Sequence, residues 1–162
     1  MRKLIKITCI LFSLILFYNS NTYAQDVKVG AELGYGTQIE SIGIGAGAVL
    51  GLTDNIRGAA DLKIFFPDSP SGVTNSFWEL NANIHYLFLK KVNTKVYGLA
   101  GLNYATQKAS SGGYSISNSE AGLNLGGGAE FGMGFGALFA EVKYALSNYD
   151  QFDLNAGVRF GF

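Results

Sequence analysis

Eight times along this chain, apolar residues recur at every second position for about ten residues, with charged residues, polar residues or glycine between them. A period of two places alternate side chains on opposite faces of a β-strand. In the last segment Leu154, Ala156, Val158, Phe160 and Phe162 alternate with Asp153, Asn155, Gly157, Arg159 and Gly161. Ile42, Ile44, Ala46, Ala48, Leu50 and Leu52 alternate with Ser41, Gly43, Gly45, Gly47, Val49 and Gly51. Trp78, Leu80, Ala82, Ile84, Tyr86 and Phe88 do the same against Glu79, Asn81, Asn83, His85 and Leu87. The pattern repeats in 27–37, 56–66, 119–131 and 136–146. Segment 95–106 is apolar on nearly both faces, and its orientation stays unassigned. No stretch between residues 25 and 162 has helical periodicity, so the expected fold is all-β.

The two faces differ in a way that decides the solvent. One carries the strand charges: Lys28, Glu32, Arg57, Asp61, Lys63, Glu79, Glu120, Glu130, Glu141, Lys143, Asp153 and Arg159. The other is apolar throughout. A water-soluble barrel turns its apolar face inward. A barrel in lipid turns it outward, with aromatic girdles at both interfaces and strands of about ten residues across the apolar band. Here Tyr35, Phe66, Trp78, Tyr104 and Tyr144 gather near one set of strand ends, and Tyr86, Phe88, Phe131 and Phe162 near the other. The pattern predicts an eight-stranded antiparallel up-and-down transmembrane barrel. Closure would leave no open edge for lipid to face.

The N-terminus reads separately. Arg2, Lys3 and Lys6 precede an apolar run from Ile7 to Tyr18, followed by polar residues and Thr22-Tyr23-Ala24. That run is too short for a spanning helix, which needs roughly 20 residues, and has the layout of a secretory signal. Residues 1–24 are therefore expected to be a cleaved signal peptide and 25–162 the barrel domain. The sole cysteine, Cys9, falls within the leader, so the exported chain is expected to hold together without disulfides. The whole chain has 12 basic and 12 acidic residues, and losing Arg2, Lys3 and Lys6 leaves a slightly acidic remainder. No basic cluster argues for nucleic acid.

Turn signals set the connections. Thr53-Asp54-Asn55, Lys90–Thr94 and Gly132-Met133-Gly134 read as tight turns at the end holding both termini, the periplasmic side. Pro67–Ser76, Gln107–Asn118 and Ser147–Phe152 read as longer loops at the other end. With odd strands running outward, the inward charges fall into pairs. Lys63 is expected to face Glu79, Glu141 to lie opposite Arg159, and closure to bring Glu32 to Arg159. The network is expected to comprise Glu32, Arg57, Asp61, Lys63, Glu79, Glu130, Glu141, Lys143 and Arg159. Inward glycines such as Gly34, Gly45, Gly47, Gly126 and Gly128 would leave room for these side chains.

Other chemistry is poorly supported. Gly43-Ile44-Gly45-Ala46-Gly47 has neither a following helix nor the Gly-Lys-Ser/Thr of a phosphate loop. His85 has no cysteine and no second histidine to complete a metal site, and reads as a core residue hydrogen-bonded to Asn83 or a neighbouring strand. Glu120 and Asp153 read as rim carboxylates in water. No catalytic residue, cofactor site or metal site is assigned.

The runs Tyr97-Gly98-Leu99-Ala100-Gly101-Leu102-Asn103-Tyr104, Gly126-Gly127-Gly128-Ala129-Glu130-Phe131, Glu141-Val142-Lys143-Tyr144 and Gly157-Val158-Arg159-Phe160-Gly161-Phe162 carry a likeness. Through them the chain resembles the small outer-membrane β-barrels of Gram-negative bacteria, the OmpA/OmpX-like or porin-family barrels. The resemblance implies an outer-membrane location among lipid and lipopolysaccharide. It also implies that Val158, Phe160 and Phe162 form a C-terminal signal for the barrel-assembly machinery. A monomer with a structural or surface-interaction role is expected, Tyr114, Tyr149 and Phe152 being the loop aromatics available for contact. A narrow pore and a soluble periplasmic ligand-binding barrel are the alternatives. If Arg159 belongs to the inner network, Arg159→Ala lowers the temperature at which the folded band is lost on gels more than Lys108→Ala does; equal shifts would remove it from the network.

Overall fold

The alternating segments become eight strands: β1 (Val27–Gly36), β2 (Ser41–Gly51), β3 (Ile56–Asp68), β4 (Thr74–Lys91), β5 (Thr94–Ser111), β6 (Tyr114–Met133), β7 (Gly136–Leu146) and β8 (Gln151–Gly161). The computed structural model describes residues 26–69, 72–148 and 150–161; the leader, Tyr149 and Phe162 lie outside the described residues. Each strand pairs antiparallel with the next, and β1 pairs with β8 from Lys28↔Gly161 to Gly36↔Asp153, so the sheet closes. An eleven-residue strand such as β2, at roughly 3.3 Å per residue and tilted about 40°, rises roughly 28 Å, enough for the apolar thickness of an outer membrane.

Burial follows the alternation. Leu33, Ile44, Leu62, Leu80, Ile84, Leu102, Leu125, Val142 and Leu154 point outward and are exposed on the isolated chain. Lys63, Glu79, Asn81, Glu130, Lys143 and Asp153 point inward and are buried. The ambiguous fifth segment takes one register: Tyr97, Leu99, Asn103 and Ala105 face the lumen, while Leu102 and Tyr104 face out.

Two expected loops are strands instead. β5 and β6 pair without a break from Thr94↔Phe131 to Ser111↔Tyr114, so Gln107–Asn118 is a hairpin rather than a loop. Gly112 and Gly113 both have positive φ, +57° and +86°, the backbone a two-residue turn between right-twisted strands requires. β3 continues to Asp68 through an irregularity after Phe65, and β4 begins at Thr74, so the connection expected over Pro67–Ser76 shrinks to residues 69–73. Serine-rich composition suggested loops, but serine alternating on paired strands satisfies the ladder equally well, as the 2.9 Å contact between the Thr106 and Ser119 hydroxyls shows. β4, β5 and β6 therefore rise above their neighbours as a three-stranded sheet, carrying Tyr114 and Ile116 at 86% and 79% exposure.

Close approach explains glycine on the inner face of β1 and β2. A Cβ at Gly34 would lie 2.6 Å from Asn155 Oδ1 and 2.8 Å from Lys63 Cε, and one at Gly45 would lie 2.9 Å from Glu32 Cγ. These glycines provide the space through which buried charged side chains pass. Gly134, in the β6–β7 turn, meets nothing within 4 Å. Gly34→Leu is expected to abolish the compact, heat-modifiable form on refolding into detergent, whereas Gly134→Leu leaves it intact; equal yields would refute the space-filling role.

Candidate functional site

The feature of this barrel most open to a chemical reading is its lumen. Its upper half, away from the termini, is organised by two lysines. The ammonium of Lys63 lies 3.3 Å from Glu32, 3.4 Å from Glu79 and 2.5 Å from Asp153, and donates a further hydrogen bond to Asn155. Lys143 lies 3.4 Å from Asp61, 3.7 Å from Glu79 and 3.4 Å from Asp153. Two ammonium groups thus sit among four carboxylates, drawn from five of the eight strands. Lys63↔Glu79 and Lys143↔Asp153 are directly opposed pairs, so strand register alone brings these charges together.

Amides fill the next level. Asn124 donates to Asn81 at 2.8 Å and to Asn83 at 3.0 Å, Asn103 donates to Asn81 at 2.9 Å, and Asn81 donates to Asp61 at 2.8 Å. This chain bridges the lumen from β6 to β3.

The half nearer the termini uses arginine. Arg57 is hydrogen-bonded to Glu130, and Arg159 lies 3.4 Å from Glu130 and 3.6 Å from Glu141. Tyr97 donates to Glu141 at 2.8 Å and accepts from Arg159 at 3.2 Å. The guanidinium of Arg159 lies 3.8 Å from the Phe139 ring centroid, a cation–π contact. Planar, delocalised guanidinium suits such combined stacking and forked hydrogen bonding.

Four expectations need correcting. Glu141 contacts Arg159 but does not lie opposite it, because β7 and β8 pair Glu141 with Asn155 and Arg159 with Ala137. Glu32 does not reach Arg159; its cationic contact is Lys63, because β1 and β8 pair Glu32 with Gly157 and Gly30 with Arg159. Asp153 is not a solvated rim carboxylate: it is 1% exposed and lies between Lys63 and Lys143. His85 is a core residue but is held by a ring stack on Tyr97 (4.4 Å, 6° between planes) rather than by Asn83, and its Nδ1 has no hydrogen-bond partner. Glu120 stays at the rim, accepting from Asn148 at 3.0 Å.

The lumen is not lined by charge alone. Phe65, Phe77 and Ala105, with Ile39 against them, form an apolar layer across the upper mouth, and Leu87, Tyr97 and Leu99 form a second cluster towards the other end. Phe65 and Phe77 share the alternation of Lys63 and Glu79, and Tyr97 lies in the segment whose orientation the sequence leaves unassigned, so their lumen-filling role is not evident from composition. Between these layers a cavity of about 20 Å³ lies beside Glu32, Asp61, His85, Glu141 and Arg159, room for about one water. Among the described residues no group of three or more His, Cys, Asp or Glu converges as a metal site.

On the outside, Tyr35, Phe66, Trp78 and Tyr104 are exposed at the level of the upper lysines, with Trp78 5.9 Å from Tyr104 and Tyr144 4.7 Å from Phe152. Towards the termini Tyr86, Phe88 and Phe131 are exposed, together with Phe135, which lies 6.4 Å from Phe160 and was not among the expected girdle residues. Val158 and Phe160 also point outward on β8.

Removing one partner from a buried ionic cluster costs about 3–5 kcal/mol, whereas an isolated surface charge costs at most about 0.5 kcal/mol. Lys63→Met is expected to lower the unfolding free energy by about that larger amount, and Lys108→Ala by the smaller, in urea titrations of the barrel in lipid vesicles. Equal losses would remove Lys63 from the centre of the network.

The fold is shared with solved bacterial barrels. Neisserial surface protein A is 18% identical, with a TM-score of 0.67, covering 86% of this chain and 98% of its own. The N-terminal β-barrel domain of Pseudomonas aeruginosa OprF is 18% identical with a TM-score of 0.67, covering 85% and 97%. Ail, the attachment invasion locus protein of Yersinia pestis, is 18% identical with a TM-score of 0.59, covering 84% and 97%. No curated protein matches the chain in sequence. The model of the outer membrane protein β-barrel domain matches residues 12–162. With its closed eight-stranded barrel, charged lumen and apolar exterior, the chain belongs to that outer-membrane β-barrel family.

Proposed function

We propose that this protein is exported through a cleaved leader over residues 1–24 and acts at the cell surface, its barrel serving as a rigid anchor rather than a conduit. The filled lumen carries this reading. Ion pairs and amides cross it from wall to wall, and the Phe65–Phe77–Ala105 layer closes its mouth. An eight-stranded wall encloses only enough space for its own side chains. The termini lie on the periplasmic side and the extended β4–β6 sheet outside, where rigid scaffolds carry their interaction surfaces.

The outward belt of Leu, Ile, Val and Ala is the face for acyl chains, and Tyr35, Phe66, Trp78, Tyr104 and Tyr144 the girdle at the lipopolysaccharide side. Val158, Phe160 and Phe162 are the signal offered to the assembly machinery. Ail has been solved with the heparin analogue sucrose octasulfate. Here the corresponding end carries Lys108 against Glu40, Asp68, Glu120 and Asp150 among its described residues, so polysulfated ligands are not matched and uncharged surface contact is favoured.

Two measurements test the reading. The protein should need detergent for extraction and migrate differently on gels before and after boiling. In planar bilayers the purified barrel should give no reproducible openings. Steady conductance that changes with Arg159→Ala or Glu141→Gln would replace the anchor with a narrow pore, and detergent-free extraction would remove it from the membrane.

A further inference from the structure

Above the apolar layer the mouth opens into a cavity of about 370 Å³, within the roughly 300–1,000 Å³ common for small-molecule sites. Ile39 of the β1–β2 turn, Ser41 of β2, Phe65 and Asp68 of β3, Phe77 of β4 and Gln151 of β8 line it. Its form is fixed by neighbours: Thr37 N donates to Phe152 O at 2.9 Å, Phe152 N donates to the Thr37 hydroxyl at 3.0 Å, and the Ser41 hydroxyl donates to Phe66 O at 2.8 Å.

One group there lacks what a buried polar atom needs. Gln151 is 3% exposed, and its Oε1 has no hydrogen-bond partner. A buried acceptor left unpaired is costly, which makes it ready to receive a donor. The Ser41 hydroxyl, already donating to Phe66, can offer only lone pairs. Two acceptors therefore stand over a floor of Phe65 and Phe77, with Ile39 beside them. Asp68 is the one charged residue lining the cavity, and the surrounding rim is mostly acidic, which disfavours anions.

We propose that this cavity binds a small uncharged polyhydroxylated ligand, a neutral sugar unit, whose hydroxyls donate to Gln151 and Ser41 while its carbon skeleton rests on the apolar floor. This inference rests on the surface reading above only for the outward direction of the mouth. The sugar could belong to lipopolysaccharide of the same membrane or arrive from outside, and the recognition chemistry is the same.

Isotopically labelled protein in phospholipid nanodiscs, titrated with maltose, N-acetylglucosamine and N-acetylneuraminic acid, tests it by NMR. At least one neutral sugar should cause saturable shifts in the Gln151 side-chain amide and the Gly36 backbone amide. Gln151→Leu should weaken binding about fivefold or more, the loss of one hydrogen bond. Gly36→Ala should also weaken it, because a Cβ there would lie 2.7 Å from Gln151 Oε1 and displace it. Both variants should keep the heat-modifiable band. Adding purified lipopolysaccharide to the nanodiscs identifies the source: competition for the same resonances assigns a lipopolysaccharide sugar, and its absence assigns an external one. Three results overturn the proposal: no saturable shift with either neutral sugar, unchanged affinity in Gln151→Leu, or equally tight binding of the anionic sugar. Conductance in bilayers with sugar binding intact would instead refute the anchor and leave the site standing.

Discussion

An ammonium group in the middle of a narrow barrel must be matched by anions, and much of this structure follows from that requirement. Lys63 is fully buried, with Glu32, Glu79 and Asp153 within 3.4 Å. Bringing those three carboxylates together from β1, β4 and β8 requires the barrel to be closed and its register correct. A slip of one residue would send the charges of a strand into lipid and its leucines into the lumen. The ionic cluster is weak evidence for net stability, since desolvation offsets most of the attraction. Its contribution is to penalise every other register.

The same requirement explains the composition of the inner face. Long charged side chains cannot share a narrow lumen with large residues on every strand, so β1 and β2 supply Gly30, Gly34, Gly43, Gly45 and Gly47 where β3, β7 and β8 supply the charge. Apolar layers then enclose the polar levels. The Phe65 ring lies 5.7 Å from the Lys63 ammonium, so the end of the ionic cluster borders directly on the aromatic layer.

The architecture was legible in the sequence because lipid leaves alternation little freedom: the outward residue of each pair must be apolar. Strand number, closure, inward charges and the opposition of Lys63 to Glu79 follow from it. Four features were less legible, each for a physical reason. The hairpin 107–118 carries serine on its ladder, which composition reads as loop, and only the Gly112-Gly113 turn signalled pairing. The orientation of β5 was ambiguous because the lumen accepts Tyr97 and Leu99 as well as charge. Contacts across the lumen, such as Arg57 with Glu130 and Tyr97 with Glu141, join strands that are not neighbours, so pairing cannot supply them. Gln151 carried no signal, since an amide becomes informative only when its surroundings leave it unpartnered.

The wall is not equally long around its circumference. Among the described residues, seventeen pairs join β4 to β5 and eighteen join β5 to β6, but nine or ten join β7 to β8, β8 to β1, β1 to β2 and β2 to β3. The short ladders include the glycine-rich strands, which have few inward side chains to brace them. The molecule thus has a stiff back and a pliant front, with the chain ends meeting in the middle of the front. Lateral strain from a changing bilayer thickness would concentrate along that seam, and breathing there would leave the projecting sheet on the opposite wall almost undisturbed.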